Sequence, residues 1–188
     1  MTHDDFIQEA VQLARQSVEN GWGGPFGAVI VRDGEIIARG QNRVLLTGDI
    51  TAHAEVETIR KACQVVNPFA PSISEDEQGE SILQLVDRPE DSCDVVPQRA
   101  RMLMGMELYV SGAPCPMCMS AIYWARLDAV YYSCSLEDTS RIGIDEEFQY
   151  EEFSKPYDQR RIKLQQVRPD LGAEAYKVWM DKTNRHYY

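Results

Sequence analysis

Apolar residues recur at intervals of three and four from Phe6 to Val18 (Phe6, Ile7, Ala10, Val11, Leu13, Ala14, Val18), which predicts a first helix with one buried face. Asp4 or Asp5 is placed to cap it, and Asn20-Gly21 ends it. Two apolar-rich runs follow, Ala28 to Arg32 and Glu35 to Arg39, joined by Asp33-Gly34, a dipeptide suited to the two positive φ values of a tight hairpin turn. The pattern then returns to helical spacing from Ala52 to about Val66, with Thr51 before it and Pro68 closing it.

Further on, Met106 to Val110 reads as a short buried strand, Ser111-Gly112-Ala113-Pro114 as a turn, and Pro116 to about Arg126 as a helix. Asp128 to Ser133 predicts another strand. Ile162 to Val167 predicts a last strand and Leu171 to Lys182 a last helix, with Leu171, Ala175, Val178 and Trp179 on one side. Strands alternating with helices indicate an α/β layer protein. The stretch from Asn67 to Gly105 departs from the pattern. It holds Pro68, Pro71, Pro89 and Pro97, and only Ile82 to Val86 is apolar enough to pack, as one short helix. It carries too little apolar surface for a second core, so the expectation is one domain over 1–188 with a surface insertion at about 67–105.

A chain of 188 residues, 44% apolar and 26% charged, can bury a core of its own. It contains no run of apolar residues long enough to span a membrane, and its first residues are polar and acidic, unlike a secretory leader. The net charge of −11 argues against a nucleic-acid partner, since phosphate binding needs a basic footprint. Much of that excess lies between Ser72 and Asp94, where eight acids face one base, Arg88. Five cysteines, two of them in a Cys-x-x-Cys pair, suit a reducing compartment, and the cytoplasm is the expected location.

The chemistry concentrates in two short segments, His53-Ala54-Glu55 and Pro114-Cys115-Pro116-Met117-Cys118. His53, Cys115 and Cys118 are three zinc-type ligands. Structural zinc takes four protein ligands, whereas catalytic zinc takes three and keeps a position open for water or substrate. Each segment precedes a predicted helix, whose free N–H groups and dipole favour the thiolate form of the cysteines. A metal makes water more acidic but does not carry protons away, and Glu55, two residues beyond the histidine, can do that. The competing reading is a structural zinc clip in an interaction module, with Cys63, Cys93 or Cys134 as fourth ligand.

His-x-Glu together with Pro-Cys-x-x-Cys is the signature of zinc-dependent base deaminases. Beyond it, the chain resembles the guanine deaminase branch of the cytidine deaminase-like superfamily. The matching segments are Gly24-Pro25-Phe26-Gly27-Ala28, Asn42, Thr51 to Val56, Cys115 to Cys118, Ala121-Ile122-Tyr123-Trp124-Ala125-Arg126, Ile142 to Glu146, and Tyr188. The resemblance implies a three-layer α/β/α sandwich around a mixed five-stranded sheet, with one zinc ion on His53, Cys115 and Cys118 and Glu55 as proton shuttle. It also implies a homodimer whose C-terminal segment crosses to the neighbouring subunit, where Tyr188 helps to cover the active site. By the same carry-over Asn42 hydrogen-bonds the base, Phe26 and Trp124 line the pocket, and Asp145 or Glu146 reads guanine. Glu146 is favoured. An acceptor-only carboxylate can take both adjacent donors of guanine, N1–H and the 2-amino group.

The expected reaction is hydrolytic deamination of guanine to xanthine and ammonia. Alternatives are a guanine nucleoside or another aminated heterocycle, and, disfavoured by the acidic balance, tRNA adenosine. Two features depart from the family pattern: Ala113 stands where Glu is usual, and the link from Asn67 to Gly105 is longer than in relatives.

Overall fold

The computed structural model describes residues 1–67 and 102–183, together with the backbone of Ser72–Glu75 and Ser81–Gln84. A four-stranded sheet forms its centre, in the order β2-β1-β5-β6. Strands β1 (Gly27–Arg32) and β2 (Glu35–Gln41) are an antiparallel hairpin. Asp33 and Gly34 turn it with φ of 53° and 78°, the two positive values expected of that dipeptide. Strand β5 (Met106–Gly112) lies antiparallel to β1, and β6 (Ala129–Cys134) lies parallel to β5. The parallel step is made by α4 (Pro116–Ala125), which crosses over between β5 and β6.

Helices cover both faces, so the central strand β1 is buried from Gly27 to Val31 instead of alternating. On one face α1 (His3–Glu19) packs Phe6 and Leu13 against Val29, Val31 and Tyr109. On the other, α3 (Ala54–Val66) and α4 close over Ala28, Ile30, Leu108 and Val110. The three layers are therefore those expected. Thr2, one turn before the predicted caps, is the N-cap of α1: its side chain accepts from the Asp5 N–H, and Asp5 returns a bond to the Thr2 N–H at 2.7 Å.

Helix α3 sits unusually near the sheet. A Cβ on Gly40 would lie 2.4 Å from Thr58 Oγ1 and 2.8 Å from the Ala54 carbonyl, so only glycine admits this approach. Thr58 Oγ1 meanwhile donates to the Ala54 carbonyl at 2.6 Å, satisfying itself inside the contact. The start of α3 is thus pinned against the end of β2.

Four expectations need correction. Ile82 to Val86 was expected to be helical, but Ser81–Gln84 forms strand β4, paired antiparallel with β3 (Ser72–Glu75) in a separate two-stranded sheet. Four residues gain more from a ladder with a nearby segment than from an isolated single turn of helix. The turn predicted from Ser111 is still strand up to Gly112, because Ala113 N–H continues the pairing to the Cys134 carbonyl at 2.8 Å. Helices α2 (Val44–Thr47), α5 (Leu136–Arg141) and α6 (Glu147–Ser154) were not predicted.

The fourth correction concerns the predicted strand Ile162 to Val167. It is not a strand, and among the described residues the main sheet has four strands instead of five. Ile162, Leu164 and Val167 are 82%, 67% and 73% exposed, and among the described residues no strand pairs with them. Helix α7 (Pro169–Asp181) does form, one residue displaced at its end, yet none of its residues is buried. No helix among the described residues is long and apolar enough to cross a membrane.

Candidate active site

The functional residues converge at one end of the sheet. The β1–β2 ladder runs on past the strands through an Asn42 N–H bond to the Phe26 carbonyl at 2.9 Å. Arg43 N–H then reaches the Ala52 carbonyl at 2.9 Å, which brings the residue before His53 to the same end. Asp49 shapes the approach to α3 by accepting both the backbone N–H and the hydroxyl of Thr51 at 2.7 Å. His53 is the N-cap of α3. Cys115 is the N-cap of α4, its sulfur accepting the Cys118 N–H at 3.5 Å, with Pro116 at the first helical position.

The His53 Nδ1, Cys115 Sγ and Cys118 Sγ atoms all lie within 4.8 Å of one another. Nδ1 is 3.7 Å from the Cys115 sulfur and 3.5 Å from that of Cys118. Tetrahedral zinc at ordinary bond lengths places nitrogen and sulfur ligands ~3.6 Å apart, so the three donors already have the spacing of one zinc polyhedron. Among the described residues no fourth ligand joins them: Cys63 is half-buried and Cys134 exposed, both outside the cluster. Cys93 lies outside the described residues. A closed structural site accordingly has no support here, and a three-ligand site does.

The charges favour a cation. A hydrogen bond from the Cys118 thiol, with help from His53 and the Cys118 N–H, brings Cys115 down to about 4. The same bond, with burial behind it, pushes Cys118 well above the ordinary thiol range. The pair thus shares one proton, the one a divalent cation would release on binding. His53 is raised, chiefly by its bond to Cys115. The α4 N-terminus points its partial positive charge at the Cys115 sulfur, which accepts the Cys118 N–H.

Glu55, in the first turn of α3, is buried at 4% exposure beside this cluster. Burial raises its pKa, and the Cys115 charge adds to the rise. A carboxyl poised above its usual range is suited to take up a proton and pass it on.

Glu146 is half-buried just before α6, and its pKa is pushed up to about 7, first by burial and then by the negative charge of Cys115. His53 lowers it and Glu55 raises it further. Asp145, by contrast, is exposed, and its Oδ1 accepts the Glu147 N–H at 3.1 Å. Asn42 is buried, its Oδ1 accepting the Val44 N–H at 3.2 Å. Phe26 is half-buried against the core; a Cβ added to Gly112, three residues before Cys115, would stand 3.1 Å from its ring. Trp124 stands 64% exposed on α4, whose buried positions are Pro116, Cys118, Ile122 and Ala125. Tyr188 lies outside the described residues.

Sequence reasoning missed two residues here. Gly23 has no room for a side chain, since a Cβ would fall 2.0 Å from Asn42 Oδ1 and 3.0 Å from the Asn42 carbonyl. Gly23→Ala should drive the Asn42 carboxamide from its place and cost about 1–3 kcal/mol, as overpacking usually does, read as a lower urea midpoint with unchanged slope. Tyr150 of α6 is the other: its hydroxyl donates to the Pro114 carbonyl at 2.7 Å. Its spacing of four residues from Glu146 was visible, but α6 was not.

The comparisons agree with this chemistry. The family model for the cytidine and deoxycytidylate deaminase zinc-binding region matches residues 1–134. Guanine deaminase of Bacillus subtilis (strain 168) is 40% identical over 188 residues, all of both chains. An X-ray structure of guanine deaminase from Bacillus subtilis superposes with a TM-score of 0.79 at 39% identity, covering 100% of this chain and 99% of that one. A tRNA-specific adenosine deaminase of Aquifex aeolicus is more distant, 31% identical over 71% of this chain and 66% of its own length. With a zinc-spaced ligand triad, a buried glutamate beside it and a match across all three ligands, the chain belongs to the cytidine and deoxycytidylate deaminase zinc-binding family.

Proposed function

We propose that the protein hydrolyses guanine to xanthine and ammonia, with His53, Cys115 and Cys118 holding one zinc ion. The observation that carries this reading is the three-ligand cluster with the buried Glu55 carboxyl beside it. The full-length similarity to a guanine deaminase supports the same substrate. Glu146 takes the N1–H and 2-amino donors of the base, and Asn42 adds a further hydrogen bond, so the ring is turned with C2 toward the cluster. Phe26 walls one side. A zinc ion held by those residues would supply Lewis acidity, making a water more acidic, toward a pKa of ~7. Glu55 accepts one proton from the water as the water oxygen bonds to C2, and passes it to N3. It then takes the remaining hydroxyl proton and gives it to the amine as the C2–N bond breaks, so one water is consumed and one ammonia released.

Adenine has no donor at N1 and would leave the Glu146 carboxylate unpaired. Sites built on such paired bonds reject a substrate lacking them by ~10⁴ or more. An ultraviolet screen of guanine, guanosine, adenine and cytosine with zinc-loaded protein tests the assignment. Guanine should be the substrate turned over with the highest kcat/KM; a preference for guanosine or adenine would overturn it.

The functional unit is a homodimer with an exchanged C-terminal segment, in which Tyr188 reaches the neighbouring site. The support is the apolar surface left bare in one chain, from Ile162 through α7, with Tyr176 and Val178 each 73% exposed. Such a surface is normally covered. Light scattering should give twice the chain mass of 21.4 kDa, and a species at the single-chain mass would overturn the exchange. The free thiols fit a cytoplasmic location.

A further inference from the structure

Helix α6 is weakly attached to the body of the protein. It has no buried residue, and Phe148 and Phe153 are 40% and 59% exposed. Among the described residues its hydrogen bonds run to its own residues and its immediate neighbours. Asp145 accepts from Glu147, Glu152 pairs with Lys155 and Arg161, and Arg160 donates to the Phe153 carbonyl. The bond from the Tyr150 hydroxyl to the Pro114 carbonyl is different in kind. It spans 36 residues and ends on the residue immediately before Cys115.

That anchor is stiff at both ends. Pro114 and Pro116 flank Cys115 and restrict its loop. Tyr150 follows Glu146 by four residues, one helical turn, so the two share a side of α6 and its N-terminal edge. Glu146 itself makes no hydrogen bond to fix it across this gap among those described. Its distance from the metal ligands is therefore set by whatever holds α6 to their loop.

We propose that Tyr150 is a positioning residue for substrate recognition: its hydroxyl ties α6 to the metal-ligand loop and so holds the Glu146 carboxylate at the right distance from the reacting carbon. The inference rests on the reading that Glu146 recognises the base. It does not give Tyr150 any contact with substrate or any proton to carry.

A double-mutant cycle on the full-length, zinc-loaded protein tests it, with Tyr150→Phe, Glu146→Gln and the pair. Tyr150 is 37% exposed, so removing one hydroxyl leaves the fold and the zinc content, near one per chain, in place. Y150F alone should lower kcat/KM for guanine about tenfold, the ordinary worth of one lost hydrogen bond, mostly through KM. In the E146Q background the same change should have almost no effect, because the group it positions has gone. If E146Q is impaired and Y150F is either silent alone or fully additive with it, the positioning role is wrong while the reading of Glu146 stands. If E146Q turns over guanine as well as wild type, the reading of Glu146 falls, and the proposal with it.

Discussion

Glu55→Gln should leave a folded, zinc-loaded protein with almost no turnover. The substitution keeps the shape of a side chain that is only 4% exposed, so packing is unchanged. It removes the one property the mechanism needs, a carboxyl that can accept a proton and give it up. Burial already holds the Glu55 pKa above the usual carboxylate range, which favours keeping a proton between the two transfers. An amide neither takes nor returns one. General acid–base catalysis contributes ~10²–10⁴ in rate, and a fall of that size in kcat, with zinc near one per chain by metal analysis, is the expected result. An E55Q protein keeping more than about a tenth of wild-type kcat would remove Glu55 from proton transfer. The comparison variant is Cys118→Ser, which should fail in a different way, by losing zinc, because a buried ligand has been taken from the triad.

The second large effect falls on Glu146→Gln. On the proposed reading the carboxylate would accept two neighbouring donors of guanine, whereas the amide could accept one and would present its own N–H to the other. Hydrogen bonds to a charged group are worth ~1.5–3 kcal/mol each, and losing one while setting two donors against each other should lower kcat/KM for guanine ~10²-fold. The loss should appear mainly in KM and leave zinc content unaltered. Asp145→Asn is the contrast, since Asp145 is exposed and already turned to the Glu147 N–H; it should change kcat/KM little. Equal losses in the two variants would mean that the acidic pair acts through its summed charge, with no geometry particular to Glu146.

Legibility in the sequence followed the range of the interactions. The hairpin at Asp33-Gly34 was readable because its positive φ values are a property of two adjacent residues. Helices α3 and α4 were readable because apolar spacing and a proline at the start act within a few turns. Helix α5 was a missed chance, since Ser135 and Asp138 form a capping box three residues apart, a local signal open to inspection. The strand Ser81–Gln84 was misread as part of a short helix because a few apolar residues look alike in either state until their partner strand, here Ser72–Glu75, is known. The last strand failed for the converse reason. Ile162 to Val167 has apolar residues in strand-like spacing, but hydrogen bonds must come from another strand, and among the described residues none pairs with it.

What the amino-acid sequence determined alone was the chemistry on offer: two thiolates three residues apart, a histidine, and a glutamate two residues beyond it, each at a helix start. Those relations are local, set by 3.6 residues per turn and by prolines that hold φ, so they survive without knowledge of the fold. Only the tertiary structure decided that the two segments meet at ligand distance, and that α3 approaches β2 closely enough to require Gly40. It also decided that Glu146 is half-buried while Asp145 is exposed, and that Tyr150 bridges to Pro114. Each of these joins residues far apart in the chain. Apolar spacing shows that a face must be buried, whereas the partner that buries it is chosen by the packing of the whole molecule.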